Sequence, residues 1–251
     1  MSIKHYTREQ ITDCISRHHV EPDQRIRLLF ANEKLTPANF EQACALYAPL
    51  LGTRFDSVLV VERLGFTHDR LLPMISDSVI KTPLGEVPVN DALRNEFCDE
   101  EDDFYIDDVG NNENMSIYDQ LMLLQCVLPD LNVVSVQIAE ERPSIIRELA
   151  YTITELLLER NVLVVLCSDI SNCTSDDISR IRQMVRDDEM SALMNFCNSG
   201  ASGMIGPGPF LAGILAAKSW ELEFKVPDLG TPENGLPFLG GYAKLQSYEK
   251  R

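Results

Sequence analysis

The sequence predicts an α/β fold, a parallel sheet covered by helices. Three observations point there. Apolar, β-branched runs of strand length recur at residues 57–61, 133–138 and 161–167, the composition of strands buried on both faces. Amphipathic helical patterns separate them, and that alternation favours a parallel sheet. With 45% hydrophobic and 24% charged residues in 251, the chain can bury a core rather than remain disordered. No repeat, low-complexity tract or linker interrupts it, so one domain over residues 1–251 is expected.

Residues 7–19 read as a helix. Thr7 can cap it, Glu9 and Gln10 occupy its first turn, and Ile11, Cys14, Ile15 and His18 share a face. Residues 25–30 follow as a strand. Thr36 or Pro37 opens a second helix, with Phe40, Ala43, Cys44 and Tyr47 at helical spacing and Pro49 near its end. After the strand 57–61 come an alternating strand over 76–81, the turn Thr82-Pro83-Leu84-Gly85, and a short helix over 89–97 capped by Asn90. Asp99, Glu100, Glu101, Asp102 and Asp103 form an acidic run without the alternation and glycine of a calcium loop, so 99–108 reads as a solvated acidic loop.

The second half repeats the rhythm. Residues 116–124 are helical, with Ile117, Leu121 and Leu124 on one face. A strand at 133–138, a helix over 143–160 opening on Pro143, and the most apolar strand at 161–167 follow. Ser175 or Asp176 caps a helix through 185, and 189–195 continue helically. A glycine- and proline-rich turn at 203–209 precedes a helix over 210–220, and strands at 222–226 and 240–245 close the chain. Leu28, Val60, Val134 and Val164 are expected on interior strands.

Charge and residue counts exclude several functions. Lys+Arg is 22 against 39 Asp+Glu, a net charge of −17, which repels phosphate backbones, so no nucleic-acid partner is expected. No apolar run is long enough for a membrane span and the start lacks a secretory apolar segment, so the expectation is a cytoplasmic protein with no membrane partner. Seven cysteines without CxxC spacing fit reduced thiols better than a disulfide framework or zinc site. Ser168 and Ser171 lack a nucleophile elbow. Gly206-x-Gly208 resembles a phosphate loop, but Pro207 and Pro209 remove amide donors from it.

The succession of 25–30, 58–61, 82–90, Met115-Ser116-Ile117, Cys167-Ser168-Asp169-Ile170-Ser171-Asn172, Gly206-Pro207-Gly208-Pro209 and Gly240-Gly241-Tyr242-Ala243 resembles the Memo-like proteins. These are also termed AmmeMemoRadiSam system protein B and are relatives of the class III (LigB-type) extradiol dioxygenases. The resemblance implies a single three-layer αβα domain with a central mixed, largely parallel sheet and a cleft at the strand ends. In the ring-cleaving relatives two histidines and a carboxylate hold iron(II), leaving positions open for catechol and dioxygen.

This chain departs from that pattern where the chemistry would sit. Ala31-Asn32-Glu33-Lys34 replaces a proline-histidine-alanine-glycine stretch, and Glu62-Arg63-Leu64-Gly65 replaces glycine-proline-serine-histidine. Asn114-Met115 stands for glutamate-histidine, Asn172 for the histidine of the serine-aspartate loop, and Ile205-Gly206 for cysteine-glycine. Only four histidines exist: His5, His18, His19 and His68. His18 and His19 are adjacent, point to different faces and read as surface residues. His68 alone can enter a strand-end cleft.

The resemblance therefore implies a non-catalytic protein that binds a ligand or supports a partner, with no metal and no cofactor. Its candidate cleft comprises Asn32, Gly65, His68, Met115, Ser168, Asp169, Asn172 and Ile205. A protein partner or a small neutral ligand is expected, with oligomeric state left open. The alternative is an enzyme using the same cleft, metal-independent with Asp169, Ser168, His68 or Glu33 as acid/base groups, or a divergent extradiol-type enzyme.

Overall fold

A reciprocal capping box starts helix α1 (Arg8–Ser16): the Gln10 amide donates to the Thr7 hydroxyl, and the Thr7 amide donates to the Gln10 side chain. Strand β1 (Ile26–Asn32), helix α2 (Phe40–Tyr47) and strand β2 (Ser57–Arg63) follow. Next come strands β3 (Leu72–Met74), β4 (Val79–Thr82) and β5 (Gly85–Pro88), helix α3 (Asp91–Glu100) and strand β6 (Phe104–Ile106). Helix α4 (Ile117–Val127), strand β7 (Val133–Ile138), helix α5 (Pro143–Leu157) and strand β8 (Val162–Ser168) repeat the strand-helix rhythm. Helices α6 (Ser175–Arg186), α7 (Met190–Asn198) and α8 (Gly208–Ser219) lead to strands β9 (Glu223–Lys225) and β10 (Gly241–Lys244). This computed structural model describes residues 2–66, 68–100, 103–112, 115–227, 229–230, 232 and 238–246.

Six strands form the central sheet in the order β7-β2-β8-β1-β10-β9. The first four are parallel, while β10 runs antiparallel to both β1 and β9. The sheet is therefore mixed and largely parallel, as expected. One face carries Leu28, Phe30, Leu59, Val61, Val164 and Leu166 into a core shared with α5 and α8. The other turns Leu29, Val58, Val60 and Val165 toward α1, α2 and α4. Helices on both faces complete three αβα layers.

Residues Ile145, Ile146, Leu149, Ile153 and Leu157 give α5 a stripe no more than 4% exposed. Removing each such side chain from water contributes roughly 1.5–3 kcal/mol. Helix α8 lies close against the sheet because Gly213 has no side chain: a Cβ there would meet Leu166 Cδ1 at 2.2 Å. At the far side Lys244 Nζ reaches Asp23 Oδ2 at 2.7 Å, tying β10 to the entry of β1.

Several expectations change. Val134 is fully buried but sits on β7, an edge strand of the central sheet; a bridge from Val89 to Val133 and the packing of β3 cover that edge. The acidic stretch is not one loop. Asp99 and Glu100 end α3, Phe104–Ile106 pairs with β3 as β6, and Asp108 accepts hydrogen bonds from Ser76. Glu101, Asp102 and Asn114 lie outside the described residues. Thr174, rather than Ser175 or Asp176, caps α6, in a box with Asp177. Among the described residues, no helix is long and apolar enough to cross a membrane.

Candidate functional site at the strand ends

Parallel strands deliver their C-terminal ends to one edge of the sheet, where α/β proteins form clefts. Here β1 ends on Asn32, β2 on Glu62 and Arg63, and β8 on Ser168. Asn32 and Ser168 are register partners, so their side chains stand together on the face that also carries Phe30 and Leu166. Both are buried, and among the described residues neither Asn32 Oδ1 nor Ser168 Oγ has a hydrogen-bond partner. The Asn32 carbonyl accepts from Gln120 Nε2 at 2.9 Å, and Gln120 Oε1 accepts from the Tyr47 hydroxyl.

Around this pair lies an ionic network. Arg63 Nε donates to Glu33 Oε2 at 2.9 Å, and Arg63 Nη2 lies 3.9 Å from Asp169 Oδ2. Lys34 Nζ donates to the same Asp169 oxygen, while the Ser171 amide donates to Oδ1 at 2.9 Å. Burial alone would raise Asp169, but the hydrogen bonds from Lys34 and Ser171 outweigh it and hold the carboxyl below its ordinary range. Burial dominates at Glu33, which is raised despite Arg63. The Arg63 stem fits because residue 206 is glycine, with φ +65°; a Cβ there would meet Arg63 Cδ at 2.1 Å.

On the opposite face Glu62 is 2% exposed. Its Oε2 accepts from the Ser116 amide at 2.7 Å and the Ser116 hydroxyl at 2.6 Å, and Gln137 Nε2 lies 3.5 Å from Oε1. Burial pushes this carboxyl up to about 7. Cys167, buried on that face, is raised by burial and then by Glu62, so it stays a thiol rather than a nucleophilic thiolate. Glu141 accepts from the Gly208 amide at 2.9 Å, so a side chain of the chain itself occupies the positive end of α8.

The residues expected to share a cleft divide into groups. Asn32, Ser168, Asp169 and Ile205 come together: Asn32 pairs with Ser168, and the Ile205 amide donates to the Asp169 carbonyl at 2.8 Å. Asn172 is exposed on the same strand-end loop, its carbonyl against Gly203. Met115 is buried on the other face of the sheet, in the core shared with Ala31 and Cys167. Gly65 is exposed, and His68 Nδ1 accepts from the Arg70 amide, so that histidine is engaged within its own loop. Sequence reasoning missed Glu62, Arg63, Ser116 and Glu141. The available signal was a charged pair, Glu62-Arg63, ending an otherwise apolar strand.

These features define an α/β protein with a strand-end polar site rich in carboxylates, of which Glu33 and Asp169 are matched by the chain's own cations. The family profile described as Memo-like protein matches residues 36–226, more than half of the chain, and the chain belongs to that family. A MEMO1 family protein of Thermotoga neapolitana (strain ATCC 49049 / DSM 4359 / NBRC 107923 / NS-E) is 31% identical over 93 residues, which span 37% of this chain and 34% of that relative. Among solved structures, that of the uncharacterized protein JW3007 from Escherichia coli K12 superposes with a TM-score of 0.59 at 13% identity, covering 87% of this chain and 99% of that one. That similarity is one of fold.

Proposed function

We propose that this chain is a non-catalytic, single-domain Memo-like protein whose strand-end site binds a small neutral ligand or supports a protein partner, without iron. The observation that carries the reading is the seating of Arg63 and Lys34 on Glu33 and Asp169. Cations of the chain itself already satisfy the carboxylates that a divalent ion would need. The remaining donors do not fit an iron(II) site of two imidazoles and one carboxylate. Asn32 and Ser168 supply an amide and a hydroxyl, His68 is turned to Arg70, and a proton competes for Glu62. Asn32 Oδ1 and Ser168 Oγ are instead suited to hydrogen-bond a neutral group. A cytoplasmic location belongs to the same proposal, as does a protein rather than nucleic-acid partner, which the net charge of −17 supports.

The test is to supply iron(II) anaerobically, measure bound iron, and then add catechols and air. Little bound iron and intact catechol rings are expected. Stoichiometric iron that is lost in Asp169→Asn and Glu62→Gln would overturn the proposal. Thermal-shift screening of neutral hydrogen-bonding compounds, repeated on Ser168→Ala, tests the binding half.

Glu62 favours a second reading. A carboxyl held at about 7 suits acid/base chemistry near neutrality, as a metal-independent enzyme requires. Its burial and its engagement with Ser116 weigh against substrate access.

A further inference from the structure

We propose that Cys14, His18, Glu41 and Cys44 form a zinc-class metal site between α1 and α2, separate from the strand ends. Cys14 lies on α1, and His18 lies in the turn that follows the helix's last residue, Ser16. Glu41 and Cys44, three apart on α2, face them. Donor atoms of Cys14, His18 and Glu41 all lie within 4.8 Å of one another. Cys14 Sγ is 3.3 Å from Glu41 Oε2, and His18 Nε2 is 3.4 Å from Glu41 Oε1. Four ligands around tetrahedral zinc, at ordinary bond lengths, stand roughly 3.4–3.8 Å apart. Cys14, His18 and Glu41 therefore need only small side-chain adjustments to close on an ion.

Three further features support it. Cys44 lies beside Cys14, outside the group of three mutually close donors, and a side-chain rotation would bring its sulfur in as fourth ligand. Among the described residues His18 Nε2, 3.4 Å from Glu41 Oε1, is buried without a hydrogen-bond partner. Arg17 Nη2 lies 3.1 Å from Glu41 and adjoins both thiols. Two thiolates and one carboxylate around a divalent ion carry one net negative charge, and Arg17 neutralises it. Thiolate and imidazole ligands select zinc over magnesium or calcium. The ion would fasten α1, which precedes the family-matched residues 36–226, to α2 within them.

Cobalt(II) and zinc titrations of the full chain test this. The expected result is one equivalent of cobalt with a thiolate-to-metal charge-transfer band and tetrahedral visible bands, displaced by zinc with release of protons from the thiols. Affinity should fall about 100-fold or more in His18→Ala and in Glu41→Gln, since even outer-shell changes cost 10–100-fold. Both positions are partly exposed and carry the test if Cys14→Ser fails to fold. His68→Ala should bind unchanged. Absence of the charge-transfer band in folded wild type would overturn the site. Undiminished affinity in either His18→Ala or Glu41→Gln would do the same, as would a Cys14–Cys44 disulfide whose formation in air zinc fails to prevent.

Discussion

Replacing Glu62 with glutamine should stabilise the protein at pH 8 and do far less at pH 4.5. Burial moves the Glu62 carboxyl from its ordinary 4.5 to about 7. Below pH 4.5 the group is protonated in both folded and unfolded chains, and no difference arises. Between 4.5 and 7 the unfolded chain loses the proton while the folded one keeps it, so unfolding releases a proton and stability falls as pH rises. Above 7 both states are ionised and the loss is complete. The shift corresponds to about 3 kcal/mol, at ~1.4 kcal/mol per pH unit. Glutamine carries no such penalty. Its oxygen can still accept from Ser116, and any change in hydrogen-bond quality is independent of pH and cancels between the two conditions. With a urea dependence of roughly 3 kcal/mol per M for a chain of this size, the variant's advantage in unfolding midpoint should grow by about 1 M between pH 4.5 and pH 8. Equal shifts at the two pH values would refute the claim that Glu62 is held near neutrality.

Arg63→Met leaves Glu33 buried without its ion-pair partner and should destabilise by about 3 kcal/mol in urea denaturation at pH 7, less at pH 4, where Glu33 takes up a proton. Gly206→Ala forces a left-handed backbone angle on a β-carbon and pushes Arg63 aside; a loss of at least 1–2 kcal/mol, roughly, should appear in the same assay. Ser168→Ala removes a hydroxyl that has no partner among the described residues, so its stability should match or exceed wild type by up to ~1 kcal/mol, while its thermal shift with neutral ligands should shrink.

The long elements were legible because their periodicity is strong. Val133–Ile138 and the opening of α5 at Pro143 fall where the apolar pattern places them. The three-residue strands β3 and β6 were not, since a run such as Phe104–Ile106 inside acidic sequence carries no alternation to read. The edge position of β7 was equally hidden, because Val89 and β3 bury it as fully as an interior strand. At the strand ends, Asn32, Ser168 and Asp169 could be named because the family resemblance sets them at strand termini. Their partners could not, because Arg63 meets Glu33 and Asp169 only through the parallel order of β2, β8 and β1. The same holds between α1 and α2. Cys14 and His18 shared a predicted face, yet Glu41 joins them only once the helices pack.

The antiparallel strand β10 gives the chain a temporal problem during synthesis. Strand β1 ends at residue 32, and the strand that covers its outer edge begins at 241. Translation at about 5–20 residues per second separates those two points by roughly 10–40 s. Throughout that interval the edge of β1, with Leu28 and Phe30 along it, has no native neighbour on that side. An open apolar strand edge is a template for mispairing. Docking of β10, sealed by Lys244 on Asp23, is thus a late event. A nascent chain stalled before residue 241 should be bound by chaperones and cut by proteases that ignore the finished protein.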